Sequence, residues 1–166
     1  MQEGNALFKE KNLRGAMGKY HRALLFIQGI QVQQNAASLM GLTSTEQPKV
    51  DQLPESVKQE VTKIKMDCYN NLANCLLQQE KKMERVIFYC DKVLEVEPTN
   101  VKALYRKGKA LYNIKDYDTA LQVLQKAQEV DNGNDSGIKQ CIKDCKQQLK
   151  NLLRKERDIY RRLFEK

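Results

Sequence analysis

The chain has 166 residues and a net charge of +8, lacks Trp, and contains only three Pro and eight Gly. This composition predicts one all-α domain that is large enough to bury a core. A membrane-spanning or secreted protein is not expected, because the longest apolar run, Ala23–Ile27, is short of the roughly 18 residues that cross a bilayer and the start of the chain is polar.

The first predicted element is a helical hairpin within residues 1–30. It has a pattern of large and small residues that recurs twice downstream, most completely in residues 101–132. In this first copy the matching positions hold Gly4, Leu7, Ala16, Tyr20 and Ala23. The copy begins partway into the pattern, so we expect the chain to be trimmed from a longer protein.

Residues 31–65 are predicted to be an insertion, because the spacing between the first and second copies of the pattern is far too long. Its first part, Gln31–Gln52, is rich in Gln, Ser, Thr and Asn, which favours a loop. Apolar residues at helical spacing follow from Leu53 to Cys68, with Pro54 near the first turn. The helix that begins there should therefore be unusually long.

Two more hairpins are predicted, in residues 66–100 and 101–134. The earlier one has an additional residue in its turn near Lys81, and Asn100 is placed to cap the helix that follows. The later one is broken at Lys115, and its signature positions hold Leu104, Gly108, Leu111, Ala120, Leu124 and Ala127. This is the pattern of a tetratricopeptide repeat, in which a Gly on the first helix lets the second approach closely and Ala residues lie where the backbones cross.

A turn at Asp131–Gly137 separates the third hairpin from a last helix, predicted from about Ser136 to Phe164. Its apolar residues form one stripe, and its first half is placed to cover the open end of the helical stack. The sequence therefore predicts an all-α tetratricopeptide repeat superhelix of three helical hairpins plus a long C-terminal capping helix. All of it is assigned to a single domain, residues 1–166.

Catalytic and metal-binding chemistry has little support in the sequence. All five Cys lie inside helical patterns, which indicates free and mostly buried thiols in a reducing compartment and hence a cytoplasmic protein. Cys141 and Cys145 are one helical turn apart, but the single His, His21, belongs to a distant helix, so no metal site is expected. The sequence has no Gly-rich phosphate loop or nucleophile elbow, so neither a cofactor nor an enzymatic activity is predicted.

The candidate functional residues lie on the first helices of the hairpins, which line the concave groove of a repeat stack. Lys102 and Arg106 are four residues apart on one helical face, where Arg can bind a carboxylate through two parallel hydrogen bonds and Lys adds a point charge. Asparagine amides opposite them would complete a cradle for the acidic end of a peptide. Any one of these cations alone is more simply explained as part of a solvated face. The predicted groove residues are Asn5, Phe8, Lys9, Asn71, Asn74, Lys102, Arg106 and Lys109.

Three motifs, GNALF, YNNLANC and VKALYRKGKA, resemble the carboxylate clamp of tetratricopeptide repeat co-chaperones. Those proteins bind the C-terminal Glu-Glu-Val-Asp of cytosolic heat-shock chaperones of the ninety- and seventy-kilodalton classes. The resemblance implies that Asn5, Asn71, Lys102 and Arg106 form the clamp. Its fifth position, normally Lys or Arg, is Met1 in this chain.

Within that class, the segments YHRALL, DCYNNLANCLLQ, MERV and RKERDIYRRLF are similar to the tetratricopeptide repeat protein 9 family and to the repeat segment of multidomain immunophilins. The long insertion is similar in both. The resemblance implies a co-chaperone or adaptor, and it allows a prolyl isomerase domain upstream in the parent protein.

The last helix supports a different function. Residues 136–166 hold ten Lys and Arg against four Asp and Glu, which makes a basic amphipathic helix. Such helices bind calmodulin, other acidic partners or membrane surfaces, and the immunophilins that resemble this chain have calmodulin-binding segments near this place. A solvated outer face, or self-association through the apolar end of the helix, would also explain the pattern. Nucleic acid is not an expected partner, because no stacking aromatics are interleaved with the basic residues in a recognisable motif.

Overall fold

The computed structural model describes the backbone of residues 1–39 and 54–164, and the side chains of residues 1–29 and 54–164. Every regular element within these ranges is an α-helix, as the sequence predicts. The helices are α1 (Gln2–Lys9), α2 (Leu13–Leu39), α3 (Glu55–Gln78), α4 (Met83–Leu94), α5 (Val101–Asn113), α6 (Tyr117–Val130) and α7 (Ser136–Phe164). In the part of the chain that is described, none of these helices is apolar over a length that could cross a bilayer. The chain divides into two compact units, Met1–Cys75 and Leu76–Lys166.

In the first unit, α1 and α2 pack against each other as a hairpin joined by residues 10–12. Ala16 and Tyr20 on α2 are buried, with at most 1% of either side chain exposed. Gly4 on α1 lies against the Tyr20 ring, and a Cβ atom added to it would come within 2.7 Å of Cε1 of that ring. Glycine is therefore needed here for the close approach of the two helices, which is the role that the repeat pattern predicts.

α2 is longer than the sequence predicts. The composition favours a loop over Gln31–Gln52, but α2 continues to Leu39, so that prediction is wrong for residues 31–39. Residues 30–39 contain no Gly or Pro, and their Gln, Ala and Leu residues favour a helix more strongly than the polar composition favours a loop. The rest of the predicted loop, residues 40–52, lies outside the described residues.

α3 is the unusually long helix that the apolar spacing predicts, with 24 residues. The carbonyl of Pro54 accepts its first hydrogen bonds, from the backbone nitrogens of Val57 at 2.9 Å and Lys58 at 3.2 Å. The first three turns are largely exposed to solvent, and buried side chains begin at Met66. Only the second half of α3 therefore belongs to a repeat-like core.

In the second unit, α5 packs against both α4 and α6. Asn100 caps α5 as predicted, because its Oδ1 accepts a hydrogen bond from the backbone nitrogen of Ala103 at 3.0 Å. Gly108 of α5 faces Leu124 of α6, where an added Cβ would lie only 2.5 Å from Cγ of the leucine. This is the close helix crossing that the sequence pattern predicts.

α7 packs on α6 and makes a smaller contact with α5. Its buried side chains are Ile138, Ile142 and Cys145, all in its first half, and they join Leu124 in one hydrophobic core. From residue 150 to residue 164 almost every side chain is exposed. The first half of α7 therefore covers the hairpin of α5 and α6, whereas the second half contributes almost nothing to the core.

Candidate functional site

The first part of the candidate site is a hydrogen-bonded pair of asparagines in the unit Met1–Cys75. Asn5 lies on α1 and Asn71 lies on α3. Nδ2 of Asn71 donates to Oδ1 of Asn5 at 3.3 Å, and the hydroxyl of Tyr20 donates to the same oxygen at 2.8 Å. The oxygen of Asn5 is thereby satisfied twice, so the Nδ2 group is what this exposed side chain can donate to a ligand.

Tyr20, which orients Asn5, belongs to α2 and is 1% exposed. Burial raises the pKa of its hydroxyl to about 12, with smaller contributions from the nearby thiols of Cys75 and Cys68. The hydroxyl therefore stays protonated at neutral pH and serves as a donor. The sequence identifies Tyr20 only as a packing residue. A Tyr where Phe would fill the same volume is the signal that could have indicated a buried hydrogen bond.

The second part of the candidate site is a cationic face at the start of α5, in the other unit. Lys102 and Arg106 are one helical turn apart, about 6 Å along the axis. Lys102 is exposed and Arg106 is half-buried. None of the ion pairs found among the described residues includes Lys102, whereas the Nζ atom of Lys107 lies 2.6 Å from Oδ1 of Asp91. Lys107 therefore ties α5 to α4, and Lys102 is available for a ligand.

The predicted peripheral residues lie about one turn from these two pairs. Phe8 is half-buried and Lys9 is exposed at the end of α1, while Asn74 is half-buried on α3. The ammonium group of Lys109 lies 5.7 Å from the centroid of the Tyr105 ring, which is a cation–π distance. The charge of Lys109 therefore already interacts with another side chain of the protein.

Met1, at the fifth clamp position, supplies no side-chain charge. Its Sδ atom lies 3.5 Å from Sγ of Cys68. All five cysteines are free, and four of them are buried.

The structure brings Asn5 together with Asn71, and it places Lys102 and Arg106 on one helical face. These two pairs belong to different units, and their union in one clamp stays a prediction.

Comparison with known proteins gives concordant results. The sequence pattern of the tetratricopeptide repeat family matches residues 89–122. Tetratricopeptide repeat protein 9C of Xenopus tropicalis is 32% identical over 163 residues, which cover 98% of this chain and 88% of that protein.

Two solved structures extend the comparison to the fold. The C-terminal repeat domain of an FK506-binding protein from Plasmodium falciparum has a TM-score of 0.70 at 27% identity, covering 92% of this chain and 87% of that one. A multi-domain immunophilin from Arabidopsis thaliana has a TM-score of 0.59 at 30% identity, covering 76% of this chain and 42% of that one. The predicted all-α tetratricopeptide repeat fold is confirmed.

Proposed function

The chain belongs to the tetratricopeptide repeat protein 9 family, and from this premise we propose that it binds the acidic carboxyl terminus of a cytosolic heat-shock chaperone. Tetratricopeptide repeat domains are protein–protein interaction modules, and their partners are generally peptides. The proposed ligand is the Glu-Glu-Val-Asp terminus of a ninety- or seventy-kilodalton chaperone. The protein would then act in the cytoplasm as a co-chaperone or adaptor.

The observation that supports this proposal most directly is the contact between Asn5 and Asn71. These residues lie on two different helices, yet their side chains meet at 3.3 Å, as a shared binding site requires. The bond from Tyr20 leaves the amide group of Asn5 to donate to a carboxylate. On α5, Lys102 and Arg106 provide two charged donors at the spacing that suits one peptide end.

The chemistry of these four side chains favours an anionic ligand. Two neutral amides and two cations can all donate hydrogen bonds. Each charge-assisted bond contributes about 1.5–3 kcal/mol before the cost of ordering the peptide, so we expect a Kd on the micromolar scale. Because Met1 adds no side-chain charge, the affinity depends on Lys102 and Arg106 more heavily than in a clamp with three cations.

Calorimetric titration with a free-acid Glu-Glu-Val-Asp peptide and its amidated form tests the proposal. Amidation removes the terminal charge, so the amidated peptide should bind much more weakly. The substitution Lys102→Ala should weaken binding of the free acid about tenfold, equivalent to about 1.4 kcal/mol.

The matched control is Lys126→Ala, which removes the same charge from an exposed position on α6. Its affinity for the peptide should equal that of the wild-type protein. Equal binding of the two peptides, or an unchanged affinity in Lys102→Ala, would contradict the clamp.

A second candidate function is supported by the second half of α7. Several large apolar side chains there are exposed, including Leu153 at 66%, Ile159 at 58% and Phe164 at 82%. They lie on a helix in which basic residues outnumber acidic ones. An amphipathic helix of this kind fits the groove of an acidic helix-binding partner such as calmodulin.

Deletion of residues 151–166 tests this second function. The buried side chains of α7 all precede residue 151, so the core should remain folded. A calcium-dependent complex with calmodulin that forms with the full chain and is lost on deletion is the expected result. Absence of that complex with the full chain would rule calmodulin out.

A further inference from the structure

The second unit contains a basic groove that shares no residue with the proposed clamp. It runs along the first half of α7 beside α6 and has a volume of about 470 Å³. Its apolar lining residue is Ile142, which is buried. The polar residues that line it are Gln128, Lys139, Lys143, Lys146, Gln147 and Lys150.

The four lysines of this groove form one row of positive charge. Their spacing of four, three and four residues puts them on one helical face, over about 16 Å of the axis. All four are exposed, and none of them takes part in the ion pairs found among the described residues. Like charges one turn apart repel each other and disfavour the helix. An anion bound in the groove would relieve this repulsion.

No residue that lines the groove is acidic. Two acidic residues lie close to the lysines in the sequence. Asp135, just before α7, accepts hydrogen bonds at its Oδ1 from the backbone nitrogens of Gly137 at 2.6 Å and Ile138 at 3.3 Å. Asp144 accepts a hydrogen bond at its Oδ1 from Nε2 of Gln140 at 2.8 Å. Asp144 lies on a different face of the helix from the lysine row. The charge of the groove is therefore not balanced by its own walls.

We propose that this basic groove binds a small ligand with several phosphate groups, of the class of multiply phosphorylated inositols. Its volume is within the range of small-molecule sites, about 300–1,000 Å³. Lysine binds phosphate as a point charge, and each phosphate monoester has a charge of about −1.5 to −2, so two or three phosphates balance four lysines. The amides of Gln128 and Gln147 can bond to ring hydroxyls or to phosphate oxygens. A peptide would need four acidic side chains, spaced to match the four lysines, to supply the same charge.

Calorimetric titration with inositol hexakisphosphate at physiological salt tests this proposal. One molecule should bind per chain. In the variant Lys143→Glu/Lys150→Glu the affinity should fall by at least about tenfold, because two attractive charges become repulsive. The new carboxylates lie one turn from the remaining lysines and can pair with them, so α7 should stay helical, which circular dichroism verifies.

The matched control is Lys155→Glu/Arg162→Glu. It changes the net charge equally, at the same spacing and on the same helix, but on the opposite face. Its affinity should stay within about twofold of the wild-type value, because the ligand contacts only the groove face. The proposal would be overturned if the wild-type chain did not bind the ligand. It would also be overturned if both variants lost the same affinity, because the ligand would then be attracted by net charge alone.

Sedimentation with phosphatidylcholine vesicles containing phosphatidylinositol bisphosphate identifies the source of the phosphates. Co-sedimentation that Lys143→Glu/Lys150→Glu abolishes assigns the groove to a lipid headgroup. Binding of inositol hexakisphosphate without co-sedimentation assigns it to a soluble ligand. Both results support the site itself.

Discussion

At the scale of single residues, the orientation of one amide group determines what the proposed clamp can bind. Asn5 could present either its oxygen or its nitrogen to a ligand. The hydroxyl of Tyr20 and the amide of Asn71 both donate to the oxygen, so the nitrogen is left to face a carboxylate. With the opposite orientation, an oxygen would face the anionic peptide and repel it. Tyr20 is thus a positioning residue for the proposed function.

The substitution Tyr20→Phe tests this role. Phe fills the same buried space, so the fold should be retained, but the donor to Asn5 is lost. We expect the affinity for the free-acid peptide to fall about threefold to tenfold, the equivalent of one ordinary hydrogen bond. Tyr160→Phe, at a side chain that is 63% exposed, is the control and should bind normally. A folded Tyr20→Phe protein with wild-type affinity would show that Asn5 needs no such support.

The sequence predicts Asn5 and Asn71 as site residues, but it does not predict that Tyr20 orients Asn5. The asparagines stand out because the motifs GNALF and YNNLANC, to which they belong, resemble the carboxylate clamp of co-chaperones. The bond from Tyr20 depends on how α1 and α2 pack, and this packing brings together atoms that are 15 residues apart in the chain. Helical periodicity indicates which face of α2 is buried, but it does not indicate where a hydroxyl at the end of a buried ring points.

At the scale of helices, the hairpin of α5 and α6 depends on the absence of a side chain at one crossing point. A Cβ on residue 108 would lie 2.5 Å from Cγ and 2.6 Å from Cδ2 of Leu124. Leu124 is completely buried, so it has no open space to move into. Gly108→Ala should therefore destabilise the protein by about 1–2 kcal/mol, because steric overlap outweighs the better helix propensity of Ala.

Gly18 on α2 provides the matched control in chemical denaturation. A Cβ added there would meet no atom within 4 Å. Gly18→Ala should consequently raise the free energy of unfolding by about 0.5–1 kcal/mol through helix propensity alone. If both substitutions change stability in the same direction, the close crossing at Gly108 is not what makes glycine necessary.

The helices also show which features a sequence can predict. The additional turn residue is confirmed, since four residues (79–82) join α3 to α4, whereas three join α1 to α2 and α5 to α6. The cap at Asn100 and the length of α3 follow from local patterns as well. The extension of α2 to Leu39 does not follow from the polar composition of that segment, because the absence of Gly and Pro is what allows the helix to continue.

At the scale of the whole molecule, the described groups whose pKa values shift most are buried acids that are neutral at physiological pH. Burial raises the pKa of Cys90 to about 12 and that of Cys145 to about 11, from an ordinary value of 9.0. Near Cys90, the positive charge of Arg106 acts in the opposite direction but does not outweigh burial. Burial likewise raises the pKa of Tyr20 from 10.0 to about 12.

These shifts predict that the protein loses stability in alkaline solution. Above pH 9 the thiols of the unfolded chain lose protons that the folded chain keeps, so ionisation favours unfolding. The loss begins near the unfolded pKa of the thiols and continues until the folded thiols ionise, between about pH 11 and 12. One such thiol contributes at most about 1.4 kcal/mol per pH unit. Tyr20 adds to the loss above pH 10, where the unfolded phenol begins to ionise.

Urea unfolding under reducing conditions, at pH values from about 8 to about 10.5, measures this slope, and Cys90→Ala separates the contribution of one thiol. Alanine cannot ionise, so the variant should lose less stability than the wild-type protein over the same pH interval, whatever its stability at the lower pH. The difference in slope is the decisive quantity, because the small cavity left by the substitution affects all pH values equally. Parallel slopes for the two proteins would mean that Cys90 already ionises in the folded state near pH 9, which requires a thiol in contact with water.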